Sequence, residues 1–504
     1  MTINNIKISS YQILILLIGI IISLSLFTGC ASLPGKTDLK DYISPSPEEI
    51  WVPSSKTAAP DAITEIKTEI PEGLMKQGAE LPLSDIISIA LQNNPDTKAA
   101  WHSACSAAYE WLSQRGDYYP EVTGYVSASH AYTYGNGTSS SVTSFDPSLQ
   151  LTWLIFDMGG RDAGIEEKYH ALLAADFTHN SAIQDAVFQV IDYYYGYAGA
   201  KAARKACETS LKDAEANLEA AKQRHDNGLA TIADVLQMKT ALSQAQVKYD
   251  AADGEIRTIR GALATAMGLP ASTDFDTGEL PLNPKVDSIT ETVDSYIKKA
   301  QENRPDLAAQ RSEVEAAMAK VRSAHSARYP SLSFTDSLGG GIDNRVSSKW
   351  ENQNAAMLRL SIPIFQGDSL KHNELKAQED VKNQKAKLEK LEQTIIYEVW
   401  SSYFTLKTAA QQVETNDDLM ESAQASYDVA LGRYKEGVGG YLDLLSAQSA
   451  LESARSQRVI LLTEWYISLA QLARYTGTLW QQTDEGAGAV VGLFPDATIK
   501  DQKP

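Results

Sequence analysis

Residues 225–237 read HDNGLATIADVLQ, and residues 434–446 read YKEGVGGYLDLLS. Each copy sets a glycine six residues before an aspartate, Gly228 before Asp234 and Gly437 before Asp443, and the copies lie 209 residues apart. Other landmarks keep the same step. Ile155-Phe156 returns as Ile364-Phe365 and Gly268 as Gly477, while Asn94-Pro95-Asp96 returns as Arg304-Pro305-Asp306 at an offset of 210. A repeat at fixed spacing is the signature of a duplicated structural unit. The chain therefore reads as two halves, roughly 83–269 and 291–478.

Proline placement then decides what each half is made of. No proline lies between Pro147 and Pro270, nor between Pro363 and Pro495. Proline breaks helix interiors, so both tracts are free to be long helices. Val235, Met238, Leu242, Ala245, Tyr249, Ala252, Ile256, Ile259, Leu263 and Ala266 step by three and four without a slip, a coiled-coil seam. Residues 160–226 and 368–435 are each expected to run ~100 Å as one helix at 1.5 Å per residue. The turns between the helices carry Gly228 in one half and Gly437, Gly439 and Gly440 in the other. Tyr193-Tyr194-Tyr195 spreads three rings around a helix, which suits packing between helices.

Before the long helices the pattern changes. Residues 121–134 and 144–156 are rich in Thr, Tyr and Ser, and the second alternates, with Leu149, Leu151, Trp153 and Ile155 facing away from Gln150 and Thr152. Segments 331–338 and 354–365 repeat this. Each half thus holds a hairpin of half-apolar strands ~10 residues long, enough for a tilted strand to cross a bilayer. Four strands are too few for a membrane barrel, whereas two chains give eight and three give twelve. A soluble β-cap on a coiled coil is the alternative.

The ends and the charge narrow the class further. Lys7 precedes a 17-residue apolar run, Tyr11–Phe27, then Thr28, Gly29 and Cys30, the plan of a signal peptide. The run is also long enough for a short membrane helix. A net charge of −19 argues against nucleic acid as a partner. The seven histidines show no metal-ligand spacing, and Gly339-Gly340-Gly341 lacks the Lys-Ser/Thr of a phosphate loop and reads as a loop between strands. No catalytic or metal set stands out. For Asp234, a capping role after Thr231 explains the acid without any further function, and Asp443 sits equivalently.

The order helix–strand–strand–helix–helix, duplicated, together with TWLIFDMGGRD (152–162) and LSIPIFQGDSL (360–370), resembles the TolC-like outer-membrane efflux proteins, in particular their lipoprotein branch. The second pair of motifs looks like that family's strand-to-helix corner, here Phe156, Gly159 and Gly160, then Phe365 and Gly367. The resemblance covers about 83–478. It implies a mainly α fold with a small β part: a homotrimer whose twelve strands form one outer-membrane β-barrel, continued by a long periplasmic α-helical barrel. It also implies residues 1–29 as a lipoprotein signal peptide with a covalent lipid on Cys30 and no other cofactor. Residues 30–82 would be a Pro-rich extended arm, with 270–290 and 479–504 as a linker and a tail. The implied role is a passive exit duct of a tripartite efflux or secretion system, working with a periplasmic adaptor and an inner-membrane pump. A poreless structural or adhesive coiled-coil lipoprotein is the alternative. The family's periplasmic gate maps onto Asp234, Tyr434 and Asp443, while Gly439 stands where the family carries an Arg and Ser446 where a further acid can occur. The same topology sets Cys105 and Cys207 far apart on their helices, so both are expected as free thiols.

Overall fold

The computed structural model describes residues 42–52, 80–135, 138–282, 291–343, 347–482 and 488–489. The signal peptide with Cys30, most of the Pro-rich arm and most of the C-terminal tail lie outside these residues. The first repeat runs α1 (Leu83–Asn93), α2 (Pro95–Arg115), β2 (Glu121–Gly135), β3 (Thr138–Phe156), α3 (Gly160–Asp226) and α4 (Ile232–Ala266). A two-residue strand β1 (Glu80–Leu81) precedes it and pairs with β4 (Asp276–Thr277). The second repeat runs α5 (Val293–Asn303), α6 (Pro305–Ser326), β5 (Ser331–Asp343), β6 (Ser347–Ser361), α7 (Ser369–Lys435) and α8 (Tyr441–Tyr475). Short strands β7 (Gln481–Gln482) and β8 (Gly488–Ala489) follow.

Helices α3 and α7 have 67 residues each, and α4 and α8 have 35. Each long helix exceeds its hairpin partner, and a second short helix covers the remainder. Thus α3 packs on both α4 and α2, and α7 packs on both α8 and α6. The short helices meet end to end. Asn94 caps α2 by accepting from Asp96 N at 2.8 Å, and its Nδ2 reaches Ala266 O, the last residue of α4, at 3.5 Å. Gly268 (φ 72°) presses on the backbone of Asn93, and Gly477 (φ 71°) presses on Asn303 in the same way. Both sites demand a left-handed backbone with no Cβ, which is why a glycine stands there in both halves. At the second junction Arg304 replaces the capping Asn, and its guanidinium bonds Asp306 at 2.6 Å and Glu398 at 2.5 Å.

The helical parts of the two repeats are joined through α3, which also contacts α6 and α8. Small residues let these helices approach: a Cβ on Gly199 would collide with Thr463 of α8, and one on Gly160 with Ser326 of α6. The seam residues Met238, Ala245, Leu263 and Ala266 of α4 are buried as their spacing requires. Tyr195 of the triple-tyrosine run stacks on Tyr466 of α8, with centroids 4.6 Å apart. Cys105 on α2 and Cys207 on α3 are both free.

The four longer strands form one antiparallel sheet in the order β2-β3-β5-β6, leaving β2 and β6 as edges. Cross-strand partners share a face, so the register sorts the side chains. Val122, Leu151 and Leu149 line up with Leu338, Phe334, Leu358 and Leu360 on one face. Thr123, Gln150, Thr152, Thr335, Ser337 and Arg359 line up on the other. One side is thus mainly apolar, with Asp336 and Asn354 among its members, and the other mainly polar, with Leu154 and Met357 among its members. Both sides are uncovered in the single chain.

Strand limits differ from the sequence expectation. Segment 144–156 starts at Thr138 and 331–338 runs on to Asp343, because a hairpin ladder keeps pairing wherever its partner stays in register. The 354–365 segment starts at Ser347 and stops at Ser361, two residues before Pro363, which has no N–H to give the ladder. Gly339, Gly340 and Gly341 are not a loop. They lie in β5 opposite Gln353, Asn352 and Glu351, where a Cβ on Gly340 would sit 2.7 Å from the Trp350 ring.

One buried charge stands out on α3, outside the sheet. Asp176 is fully buried, and neither carboxylate oxygen has a hydrogen-bond partner among the described residues. Burial pushes its pKa up to about 8. The folded chain then holds this carboxyl protonated over a range where the unfolded chain, with a value near 3.8, is already ionised. Stability from this group is complete below about pH 4 and is lost progressively as pH rises towards 8. Asp176→Asn should remove that slope, so its thermal midpoint in detergent should exceed the parent's increasingly between pH 5 and pH 8. Parallel pH profiles for parent and variant would show that Asp176 is not carried neutral.

Candidate functional site: the two helical tips

The tip of the first hairpin closes in five residues. Gly228 (φ 75°) lets the chain reverse, with Gly228 N donating to His225 O at 2.8 Å and Leu229 N to Arg224 O at 2.8 Å. This is the left-handed helix terminator that needs a glycine. Thr231 then starts α4. Its backbone N donates to Asp234 Oδ2 at 2.8 Å, and Asp234 N donates to Thr231 Oγ1 at 3.3 Å. The Asp234 carboxylate is therefore engaged in a reciprocal capping box.

The tip of the second hairpin has the same path and different chemistry. Gly437 (φ 79°) donates from its N to Tyr434 O at 3.1 Å, and Val438 N and Gly439 N both donate to Arg433 O at 3.0 Å. Gly440 occupies the N-cap of α8 and has no side chain to offer. Asp443 is exposed in the first turn of α8 and forms no hydrogen bond or ion pair among the described residues. The two aspartates are equivalent in position only: one carboxylate caps its own helix, and the other is free to face a solute.

Tyr434 does not project from the tip. Only 3 % of it is exposed, within an apolar cluster that includes Leu218, Met238, Leu444 and Leu451. Among the described residues its hydroxyl has no hydrogen-bond partner, and burial pushes the phenol up, with Arg224 opposing the shift and Asp234 adding to it. Arg224 of α3 lies against this residue, its guanidinium 4.8 Å from the ring centroid and its Nη1 donating to Tyr434 O at 2.5 Å. Sequence reasoning passed over Arg224. The signal available was its pairing with Arg433, 209 residues on, immediately before Tyr434. Above the tip, Asn217 Nδ2 donates to Gln448 Oε1 at 2.8 Å and reaches Tyr427 Oη at 3.5 Å, a buried polar tie between α3, α7 and α8. At the outermost surface sit Leu229, Ile232, Val438 and Leu442, all more than half exposed.

The strand-to-helix corners are the second conserved-looking geometry within the repeat. Met158 and Gly159 take positive φ in the first half, and Gly367 and Asp368 do so in the second. The Asp157 carboxylate accepts from Arg161 N at 2.5 Å, starting α3, and Gly160 leaves room for Ser326. Phe156 and Phe365 are exposed at these corners. Among the described residues, no group of three or more His, Cys, Asp or Glu side chains is placed to hold a metal ion, and no helix is long and apolar enough to cross a membrane.

Comparison with known proteins places this geometry. The family model described as outer membrane efflux protein matches residues 86–269 and 296–478, the two repeats. The protein CyaE of Bordetella pertussis is 27% identical over 412 residues, covering 81% of this chain and 86% of that protein. The probable efflux pump outer membrane protein TtgC of Pseudomonas putida is 25% identical over 453 residues, covering 87% and 90%. The crystal structure of the outer membrane protein VceC from Vibrio cholerae superposes with a TM-score of 0.70 at 18% sequence identity, covering 78% of this chain and 96% of that one. Two matched repeats spanning most of the chain and a shared channel fold leave one conclusion: this chain belongs to the outer membrane efflux protein family, whose members are outer-membrane channels.

Proposed function

We propose that three copies of this chain close a twelve-stranded barrel in the outer membrane and continue it as a helical tunnel, the exit duct of a tripartite efflux or secretion system. The observation that carries this reading is the open, two-faced sheet. Its apolar face matches lipid, its polar face matches a water-filled lumen, and its edges β2 and β6 each need a partner. A single chain cannot satisfy those edges, and closure by rotation is the ordinary solution. The helical part also calls for neighbouring copies. Ile396, Tyr397, Trp400 and Phe404 of α7 are exposed in the single chain, Tyr397 by 70%, and a neighbouring copy would cover them.

The apolar tips, Leu229 and Val438 foremost, suit docking of a periplasmic adaptor, which would couple the duct to an inner-membrane pump. Relatives are named for antibiotic efflux, toluene efflux and pyoverdine export. Such varied cargo among relatives supports leaving cargo choice to the pump. Cys30 would carry the lipid that anchors the mature chain, and the barrel strands would supply the second attachment. At the tunnel's far end, threefold symmetry would gather Asp443 from each chain into a ring, the gate candidate with the free carboxylate. Tyr434 and Asp234 would serve as supports, the first by packing and the second by capping.

Three expected outcomes follow. The purified protein should migrate as a heat-sensitive trimer and conduct in planar bilayers; a non-conducting monomeric rod would overturn the reading. Asp443→Ala should lower the channel's preference for cations and its block by them, since converging carboxylates concentrate cations in a pore. Unchanged selectivity would remove Asp443 from the gate. Cys30→Ser should abolish incorporation of labelled palmitate, and a variant still labelled would place the lipid elsewhere.

A further inference from the structure

Arg224 touches both tips. It sits in the last turn of α3, bonds Tyr434 O at 2.5 Å through Nη1, and reaches Leu229 O in its own turn at 3.4 Å through Nη2. Its guanidinium also lies over the Tyr434 ring and packs on the second turn, where a Cβ on Gly437 would stand 3.5 Å from Nη1. We propose that Arg224 is the clasp that holds the second tip against the first and so positions Tyr434 and Asp443 in the closed mouth. This rests on reading the tips as the gate of the pore.

Three observations carry the assignment. The carbonyl that Arg224 bonds belongs to the last turn of α7, the negative end of a helix dipole, where a cationic donor makes a strong, charge-assisted bond. Only a planar fork can bond that carbonyl and lie on the ring beside it at once. The contact also runs one way. Arg433, the counterpart of Arg224 in the repeat, is exposed and forms no side-chain hydrogen bond or ion pair among the described residues. The cation on the Tyr434 carbonyl is thus delivered by the opposite hairpin, while Arg433 and Lys435 of the second tip itself are exposed.

The junction is also incompletely satisfied. Arg224 Nε and Tyr434 Oη are both buried without a hydrogen-bond partner among the described residues. Burying two unpaired polar groups carries a cost that both would shed on reaching water as the tips part. The clasped arrangement is therefore held chiefly by the guanidinium contacts and is opposed by its own unpaired atoms, as a two-position element requires. Arg224 is a positioning residue here, acting through Tyr434 on the free carboxylate of Asp443.

The test is single-channel recording of the purified trimer. Arg224→Ala should raise the ratio of open to closed time by about tenfold, the scale of a typical coupling between two states. Arg224→Lys, which keeps the charge without the fork, should fall between parent and alanine variant. In a Tyr434→Ala background, removing Arg224 should add little, because the two act as one contact. If the alanine variant does not assemble, Arg224→Gln keeps the stem, loses the charge and should open likewise. Closed-state behaviour equal to the parent in these variants overturns the clasp, even where Asp443→Ala alters selectivity. An opened Arg224→Ala channel beside an unaltered Asp443→Ala channel keeps the clasp and removes the acidic ring.

Discussion

A helix of 67 residues has no interior of its own, and this constraint organises the molecule. A seam running ~100 Å must be covered along its whole length, since isolated helices gain most of their stability from packing an apolar face. Neither 35-residue partner reaches that far. The chain solves the shortfall by setting a second short helix against the far half of each seam, so that α4 meets α2 and α8 meets α6 end to end. The αL glycines Gly268 and Gly477 sit at these joints because two backbones meet there without room for a Cβ. A short helix lies at each joint: the apolar α1 packs on α3, and the more polar α5 packs on α7.

Duplication supplied two copies of this solution, and their differences mark where the copies took separate roles. Asn94 caps its helix through an amide, whereas Arg304 at the same place anchors Asp306 and Glu398. Thr231 and Asp234 close a capping box, whereas Gly440 leaves Asp443 unspent. Arg224 crosses to the other tip, whereas Arg433 points to solvent. At each pair the backbone path is preserved and the side-chain chemistry is not. The tips thus differ in how they are held: the first by its own capping box, the second without a side-chain cap.

Much of the fold was legible because its signals are long-range and redundant. Fixed offsets between NPD and RPD or between the two Gly-x5-Asp turns need no knowledge of contacts, and proline-free tracts bound helices directly. The strands were less legible at their ends. Polar segments such as 347–353 (SSKWENQ) carry weak intrinsic β preference, and only pairing with β5 extends the ladder through them. The three glycines of β5 look like a loop in one dimension; across the ladder they make room for Trp350 and for β3.

The site divides along the same line. Gly228, Gly437, Asp234 and Asp443 could be named from the sequence because turns and caps are local, governed by residues within four positions of one another. The contact of Arg224 with Tyr434 joins residues 210 apart, and its trace in the sequence is only the repeat counterpart Arg433 beside Tyr434. Nor does sequence distinguish the engaged carboxylate of Asp234 from the free one of Asp443, since that depends on which oxygen each backbone N–H finds. By itself, then, the sequence determined the repeat, the helices, the turns and the family, all set by periodicity and local geometry. Which side chains cross between repeats, and which polar atoms are left unpaired there, was decided only by tertiary packing, because that depends on the distance between surfaces brought together after the helices have formed.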